Sequence, residues 1–139
     1  MDKAIEGALN EQINAELHSA YIYLAMSAQF AEQNFDGFAH WMRKQAGEEM
    51  EHAMKLFDYV LERGGHVELK AVAAPAKKFG SPLKIFETAL AHEKKISGMI
   101  RDLFELSRKK SDYATELQLG WFITEQVEEE DNAGKAVET

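Results

Sequence analysis

Hydrophobic residues recur every three to four positions along most of the chain, which is the period of an amphipathic α-helix. Prolines occur only at Pro75 and Pro82, and adjacent glycines only at Gly64-Gly65, so long stretches contain no helix breaker. The pattern predicts four helices: about Asp2 to Gln33, about Gly37 to Arg63, Ser81-Pro82 to about Lys110, and a fourth that begins after a Ser111 or Asp112 cap.

The lengths of the connections predict the topology. Only a few residues separate the first helix from the second and the third from the fourth, which is typical of antiparallel helix hairpins. The segment from Gly65 to Gly80 contains a strand-like run, His66 to Val72, and spans roughly 50 Å when extended, whereas a helix of about 27 residues is about 40 Å long. We therefore expect an all-α antiparallel four-helix bundle with one long crossover.

Composition narrows the class of protein. A chain of 139 residues with 45% hydrophobic and 29% charged residues predicts one soluble, folded domain, residues 1–139. The absence of cysteine excludes disulfides, thiolate zinc sites and iron–sulfur clusters, so a metal would be held by oxygen and imidazole. A net charge of −8 disfavours nucleic acid and anionic membranes and favours cations. With no signal-like N-terminus and no long apolar run, we expect a cytoplasmic protein without a membrane partner.

Each predicted helix carries an acid or amide side chain in the middle of its apolar stripe. The buried stripe of the second helix, for example, is built from Phe38, Met42, Ala46, Leu56 and Val60. A lone Glu on a helix is nearly always solvated, but no Lys or Arg shares these four stripes at mid-helix. Buried carboxylates without compensation cost several kcal/mol each, and two divalent iron or manganese ions would compensate them. The polar residues within the four apolar stripes are Glu16, Glu49 with His52 (Glu-x-x-His), Glu93, and Gln126 with Glu129.

Three runs of sequence resemble the non-haem ferritins of bacteria and archaea, and the resemblance covers nearly the whole chain. They are Asn14 to Tyr21, Gly47 to Ala53, and Trp121 to Glu130. The resemblance implies a ferritin-like bundle with a diiron site of two iron ions per subunit. By that resemblance Glu16, Glu49 and His52 bind the first ferroxidase iron, Glu49 also bridges to the second, and Glu93 is the main ligand of the second, with Gln126 and Glu129 close by.

The resemblance extends to residues around that site. It places Tyr23 beside the diiron centre, as a nearby electron donor or as an aromatic spacer, and Trp121 next to it. It also implies a third iron site at Glu48, Glu125, Glu128 and Glu129, although an acidic run near a helix end is usually a solvated face.

Two related families differ from this chain at identifiable residues. Bacterioferritins carry a second Glu-x-x-His on the fourth helix, where this sequence has Gln126 and Glu129. Met50 occupies the position of their haem-ligating methionine, but we expect it to fill a helix interface and expect no haem. Rubrerythrins add a cysteine-bound iron domain, which a chain without cysteine excludes.

The resemblance implies iron storage and ferroxidase activity, with Fe(II) and dioxygen or hydrogen peroxide as substrates and a ferric oxide mineral in an oligomeric shell. The alternatives are a diiron peroxide or oxygen scavenger and a non-catalytic shell or scaffold subunit. Ferritins usually continue into a short fifth helix, and this chain stops at Thr139 before one. We expect a homo-oligomer: a 24-subunit cage if that tail is dispensable, otherwise a dimer or smaller assembly.

Overall fold

A computed structural model describes residues 1–138 of the chain. These residues form four α-helices and no strand: α1 (Lys3–Glu32), α2 (Asp36–Glu62), α3 (Pro82–Lys109) and α4 (Tyr113–Glu138). The predicted all-α class is confirmed, and the predicted helix ends lie within about one residue of the observed ones. Among the described residues no helix combines the length and hydropathy needed to cross a membrane.

Side-chain caps explain where α1, α3 and α4 begin, whereas Phe35 before α2 makes no side-chain cap. Asp2 accepts hydrogen bonds from two backbone amides in the first turn of α1, at 2.8 and 3.0 Å. Ser81 accepts one from the first turn of α3 at 3.2 Å. Asp112 caps α4, accepting the backbone N–H of Thr115 at 3.1 Å, whereas Ser111 has a φ of 55° and lies in the turn after α3. The structure thus decides between the two predicted caps of the fourth helix in favour of Asp112.

The chain divides into two compact units, residues 1–85 and residues 86 onward. In the first unit α1 and α2 form an antiparallel hairpin, with Ser27 near the end of α1 donating to the carbonyl of Ala39 near the start of α2 at 2.7 Å. In the second unit α3 and α4 are also antiparallel, because the end of α3 meets the start of α4 through Arg108 and Glu116 at 3.1 Å. The two predicted hairpins are confirmed, while the assignment of residues 1–139 to one domain stays a prediction.

The crossover between α2 and α3 is held by polar side chains of α1. Near its start, Glu6 accepts the backbone N–H of His66 at 2.6 Å. Asn10 accepts the N–H of Glu68 at 2.9 Å and donates to the carbonyl of His66 at 2.9 Å, and Asn14 repeats this pattern one turn later. Near its end, Gln29 accepts the backbone N–H of Phe79 and donates to the carbonyl of Gly80. The predicted strand-like run is therefore extended, but its partners are side chains and it forms no strand within residues 1–138.

Replacing Asn10 by Ala should destabilise the protein, because Asn10 is buried and supplies two of the hydrogen bonds that satisfy the crossover backbone. Its partners His66 and Glu68 are exposed and can be hydrated after the change, so each lost hydrogen bond should cost about 0.5–1.5 kcal/mol of unfolding free energy. Denaturant unfolding of Asn10→Ala measures this, with Asn132→Ala, an exposed helical asparagine, as the control. Equal stability of the two variants would show that these bonds contribute nothing.

The helical stripes predicted from the sequence form most of the core. The apolar residues around Glu16 on α1 are buried, as are most of those around Glu49 on α2. Phe38, predicted to be buried, is 42% exposed. It lies in the first turns of α2, where its ring instead packs beside Phe30 and Phe35, with centroid distances of 5.2 and 5.9 Å. The aromatic cluster joins the end of α1 to the start of α2 and so closes their hairpin.

Candidate metal centre

A buried carboxylate and imidazole cluster lies between α1 and α2. Glu16 projects from the middle of α1, and Glu49 and His52 project from one face of α2, one turn apart. Glu16 and Glu49 are fully buried and His52 nearly so. One potential ligand atom of each lies within 4.8 Å of the others. The structure thus brings together the three residues for which the sequence predicted one iron ion.

Each of the two carboxylates is oriented by a glutamine one turn earlier on its own helix. Gln12 donates to Glu16 Oε1 at 3.2 Å, and Gln45 donates to Glu49 Oε1 at 3.2 Å. Neither glutamine was predicted from the sequence, although both helices share a Gln-x-x-x-Glu spacing that could have identified them.

The other oxygen of each carboxylate is directed at His52. His52 Nδ1 lies 3.7 Å from Glu16 Oε2 and 3.5 Å from Glu49 Oε2. Within residues 1–138, neither Oε2 atom accepts a hydrogen bond. Buried polar atoms are nearly always satisfied, so two convergent unsatisfied carboxylate oxygens indicate a place for a cation.

The electrostatics of this cluster agree with that assignment. Burial, together with the neighbouring carboxyl of Glu16, raises the pKa of Glu49 from 4.5 to about 7. Burial alone would lower the pKa of His52, but the two adjacent carboxylates outweigh it and raise the pKa. The cluster therefore stabilises positive charge in a buried location, whether it comes from protons or from a metal ion.

A second polar cluster lies between α3 and α4. Glu93, Gln126 and Glu129 are all buried. Gln126 Nε2 donates to Glu93 Oε2 at 3.2 Å and to the Glu93 carbonyl at 3.3 Å. A carboxylate oxygen of Glu129 lies within 4.8 Å of one from Glu93, and another such pair joins Glu129 to half-buried Glu125. The structure thus gathers the predicted ligands of α3 and α4 around Glu93 and Glu129.

The remaining predicted site residues differ in exposure. Tyr23 is fully buried on α1, whereas Trp121 is 41% exposed, with its ring edge-on to Phe122. Glu48 is half-buried and Glu128 exposed, and neither belongs to a cluster of three candidate ligands among the described residues. The third iron site stays a prediction.

Met50 is 43% exposed in this chain. It follows Glu49 directly and so lies about 100° around α2 from the inward-facing stripe. A helix interface that Met50 fills would therefore lie against another copy of the chain, and this role stays a prediction.

Comparisons with known proteins agree with this architecture. The sequence profile of the ferritin-like domain matches residues 6–139. Bacterial non-heme ferritins of Bacteroides fragilis and Staphylococcus epidermidis are 40% and 42% identical to the chain, over 96% and 94% of its length and 84% and 78% of theirs.

Solved structures give the same result. An open-pore ferritin of Archaeoglobus fulgidus matches with a TM-score of 0.98 and 46% identity, covering 99% of this chain and 85% of that one. A ferritin of Chlorobium tepidum matches with a TM-score of 0.97 and 38% identity, covering 99% of this chain and 84% of that one. The ferritin-like fold class is confirmed, and the chain belongs to the ferritin family.

Proposed function

We propose that this protein stores iron and oxidises Fe(II) at its buried carboxylate clusters. The observation that carries the proposal is the pair of unsatisfied Oε2 atoms of Glu16 and Glu49, directed at His52 in the interior of a ferritin-family chain. Two carboxylates and one neutral imidazole balance the charge of one Fe(II) ion and suit its preference for oxygen and nitrogen ligands.

In this proposal each of the two clusters binds one Fe(II) ion as substrate. We assign Glu16, Glu49 and His52 to the first Fe(II) and Glu93 to the second, with Gln126 and Glu129 beside it. Glu49 serves both ions in this assignment, which follows the ligand pattern of the ferritins that the chain resembles. The third site at Glu48, Glu125, Glu128 and Glu129 is a further proposal, supported by the proximity of Glu125 and Glu129.

Two Fe(II) ions held in this way can reduce dioxygen in one encounter. Each ion gives up one electron, and O2 takes up two electrons and two protons to form hydrogen peroxide, which avoids a superoxide step. The negative carboxylates stabilise the added charge of the Fe(III) product. Tyr23, buried on α1, serves either as an additional electron donor or as an aromatic spacer.

The chain's surface supports a homo-oligomeric shell in which the ferric product accumulates. Large apolar side chains of α1 and α2 are exposed, among them Tyr21, Leu24, Met54 and Leu61. Burying them against a second copy is favourable. A non-catalytic scaffold subunit is less well supported, because all six acid, amide and imidazole residues of the two clusters are present.

Aerobic addition of Fe(II) tests the proposal. We expect rapid oxidation of two Fe(II) per chain, followed by iron that co-elutes with the protein on size-exclusion chromatography as a ferric core. Oxidation without retained iron would favour the peroxide or oxygen scavenger. If the protein neither oxidised nor retained iron, the proposed function would be wrong.

Binding of Fe(II) should weaken as the pH falls, and it should weaken more steeply below about pH 7. His52, whose pKa the two carboxylates raise to about 11, has to lose a proton to bind iron throughout this range, and Glu49, with its pKa raised to about 7, has to lose a second proton below that pH. Each displaced proton corresponds to about a tenfold loss of affinity per pH unit. Anaerobic Fe(II) titration between pH 8 and pH 5.5 measures this. An affinity independent of pH would contradict the assignment of both residues, and a slope that does not steepen below about pH 7 would contradict that of Glu49.

A further inference from the structure

A chain of hydrogen bonds runs from the half-buried carboxylate of Glu130 to buried Glu93. Ser97 Oγ donates to Glu130 Oε2 at 2.6 Å. Gln126 Nε2 donates to Ser97 Oγ at 3.1 Å and to Glu93 Oε2 at 3.2 Å. Ser97 and Gln126 are both buried, and the function proposed above gives no role to Ser97 or Glu130.

The donor and acceptor groups allow these hydrogen bonds to run in only one direction. The Ser97 hydroxyl has one proton, and its short bond to a carboxylate is typical of charge-assisted O–H···O⁻ contacts. With that proton committed to Glu130, Ser97 Oγ presents only lone pairs to Gln126. The Gln126 side chain must therefore present its nitrogen.

The opposite orientation of the Gln126 carboxamide is disfavoured. It would place the amide oxygen against Ser97 Oγ, the Glu93 carboxylate and the Glu93 carbonyl, all of which act as acceptors here. The nitrogen donates to Glu93 Oε2 only as long as this orientation is held. The rotamer of Glu93 thus depends on the Ser97 hydroxyl, to which it is linked by two hydrogen bonds through Gln126.

We propose that Ser97, oriented by Glu130, is a positioning residue for iron binding. It fixes the Gln126 carboxamide with its nitrogen toward Glu93, and through Gln126 it fixes the Glu93 carboxylate that receives the second Fe(II). This inference rests on the proposed function, because it concerns the affinity of the Glu93 cluster. Partners that orient a ligating carboxylate typically change metal affinity by about 10- to 100-fold when they are removed.

The surroundings of Ser97 make this role testable. A half-open cavity of about 90 Å³ is lined by Ser97, Gln126, Glu130 and Arg101, so a smaller side chain at position 97 leaves the packing of α3 against α4 in place. Ser107 supplies a matched control, because it is also buried on α3 but donates only to the carbonyl of Leu103 in its own helix.

Anaerobic titration of the full chain with Co(II), followed by calorimetry and visible absorption, tests the proposal. We expect two Co(II) ions per wild-type chain, and in Ser97→Ala about tenfold weaker binding of one ion with the other unchanged. Ser97→Thr, which keeps the hydroxyl, should restore the affinity, and Ser107→Ala should match wild type. Glu130→Ala should reproduce the loss without altering a fully buried position.

The outcomes separate this inference from the proposed function. If wild type binds two Co(II) ions and Ser97→Ala and Glu130→Ala bind both with wild-type affinity, the positioning role is wrong and the proposed function stands. Equal losses in Ser97→Ala and Ser107→Ala would also overturn it, since they would reflect a general effect on α3. A wild-type chain that binds no Co(II) would overturn the proposed function and this inference with it.

Discussion

Replacing Glu49 by Ala should abolish fast Fe(II) oxidation, with a larger effect than the loss of any other single ligand. Glu49 is fully buried, one of its oxygens is directed at His52, and in our proposal it serves both iron ions. Replacing a residue that only orients a metal ligand typically lowers metal affinity or activity by about 10- to 100-fold. For a ligand shared by both ions, we therefore expect the oxidation rate to fall by more than about 100-fold. Stopped-flow absorbance during aerobic mixing with Fe(II) measures the rate.

The matched control is Glu51→Ala, which removes an exposed carboxylate two residues away on the same helix. It should leave the rate close to that of wild type, because it changes the surface charge and not the buried cluster. Native-rate oxidation by Glu49→Ala would show that the iron is oxidised elsewhere.

Replacing Phe30 by Ala should lower the free energy of unfolding by about 3–5 kcal/mol, the usual cost of deleting a large buried aromatic side chain. Phe30 is fully buried at the end of α1, and its ring lies 6.2 Å from that of Phe35 and 5.2 Å from that of Phe38. The variant removes the centre of the cluster that closes the α1–α2 hairpin, and denaturant unfolding measures the loss.

Phe35→Ala provides the comparison, because Phe35 belongs to the same cluster but is 43% exposed. It should cost clearly less than Phe30→Ala, since less apolar surface is returned to water. The variants have to be compared at equal protein concentration, because assembly adds to apparent stability. Equal losses would show that the cluster is not organised around Phe30.

Much of the fold could be predicted because its signals are local. Asp2, Ser81 and Asp112 accept hydrogen bonds from amides two or three residues later, so a capping residue next to an apolar stripe is enough to place a helix start. The inward position of Glu16 and Glu49 follows from the helical period alone.

The crossover could not be predicted in detail because its contacts join distant parts of the sequence. Asn10 and Asn14 bond backbone groups 54 to 58 residues away, and nothing near either residue indicates those partners. In the site, Gln12 and Gln45 were detectable from their spacing to a glutamate. The bond from Ser97 to Glu130 was not, because it joins residues 33 apart on different helices.

The central claim is that buried carboxylates of this chain bind Fe(II), and anomalous diffraction at the iron absorption edge tests it most directly. Crystals soaked anaerobically in Fe(II) should show one iron peak among Glu16, Glu49 and His52 and a second beside Glu93. Iron found only on exposed acidic residues such as Glu128, with neither buried peak, would contradict the account.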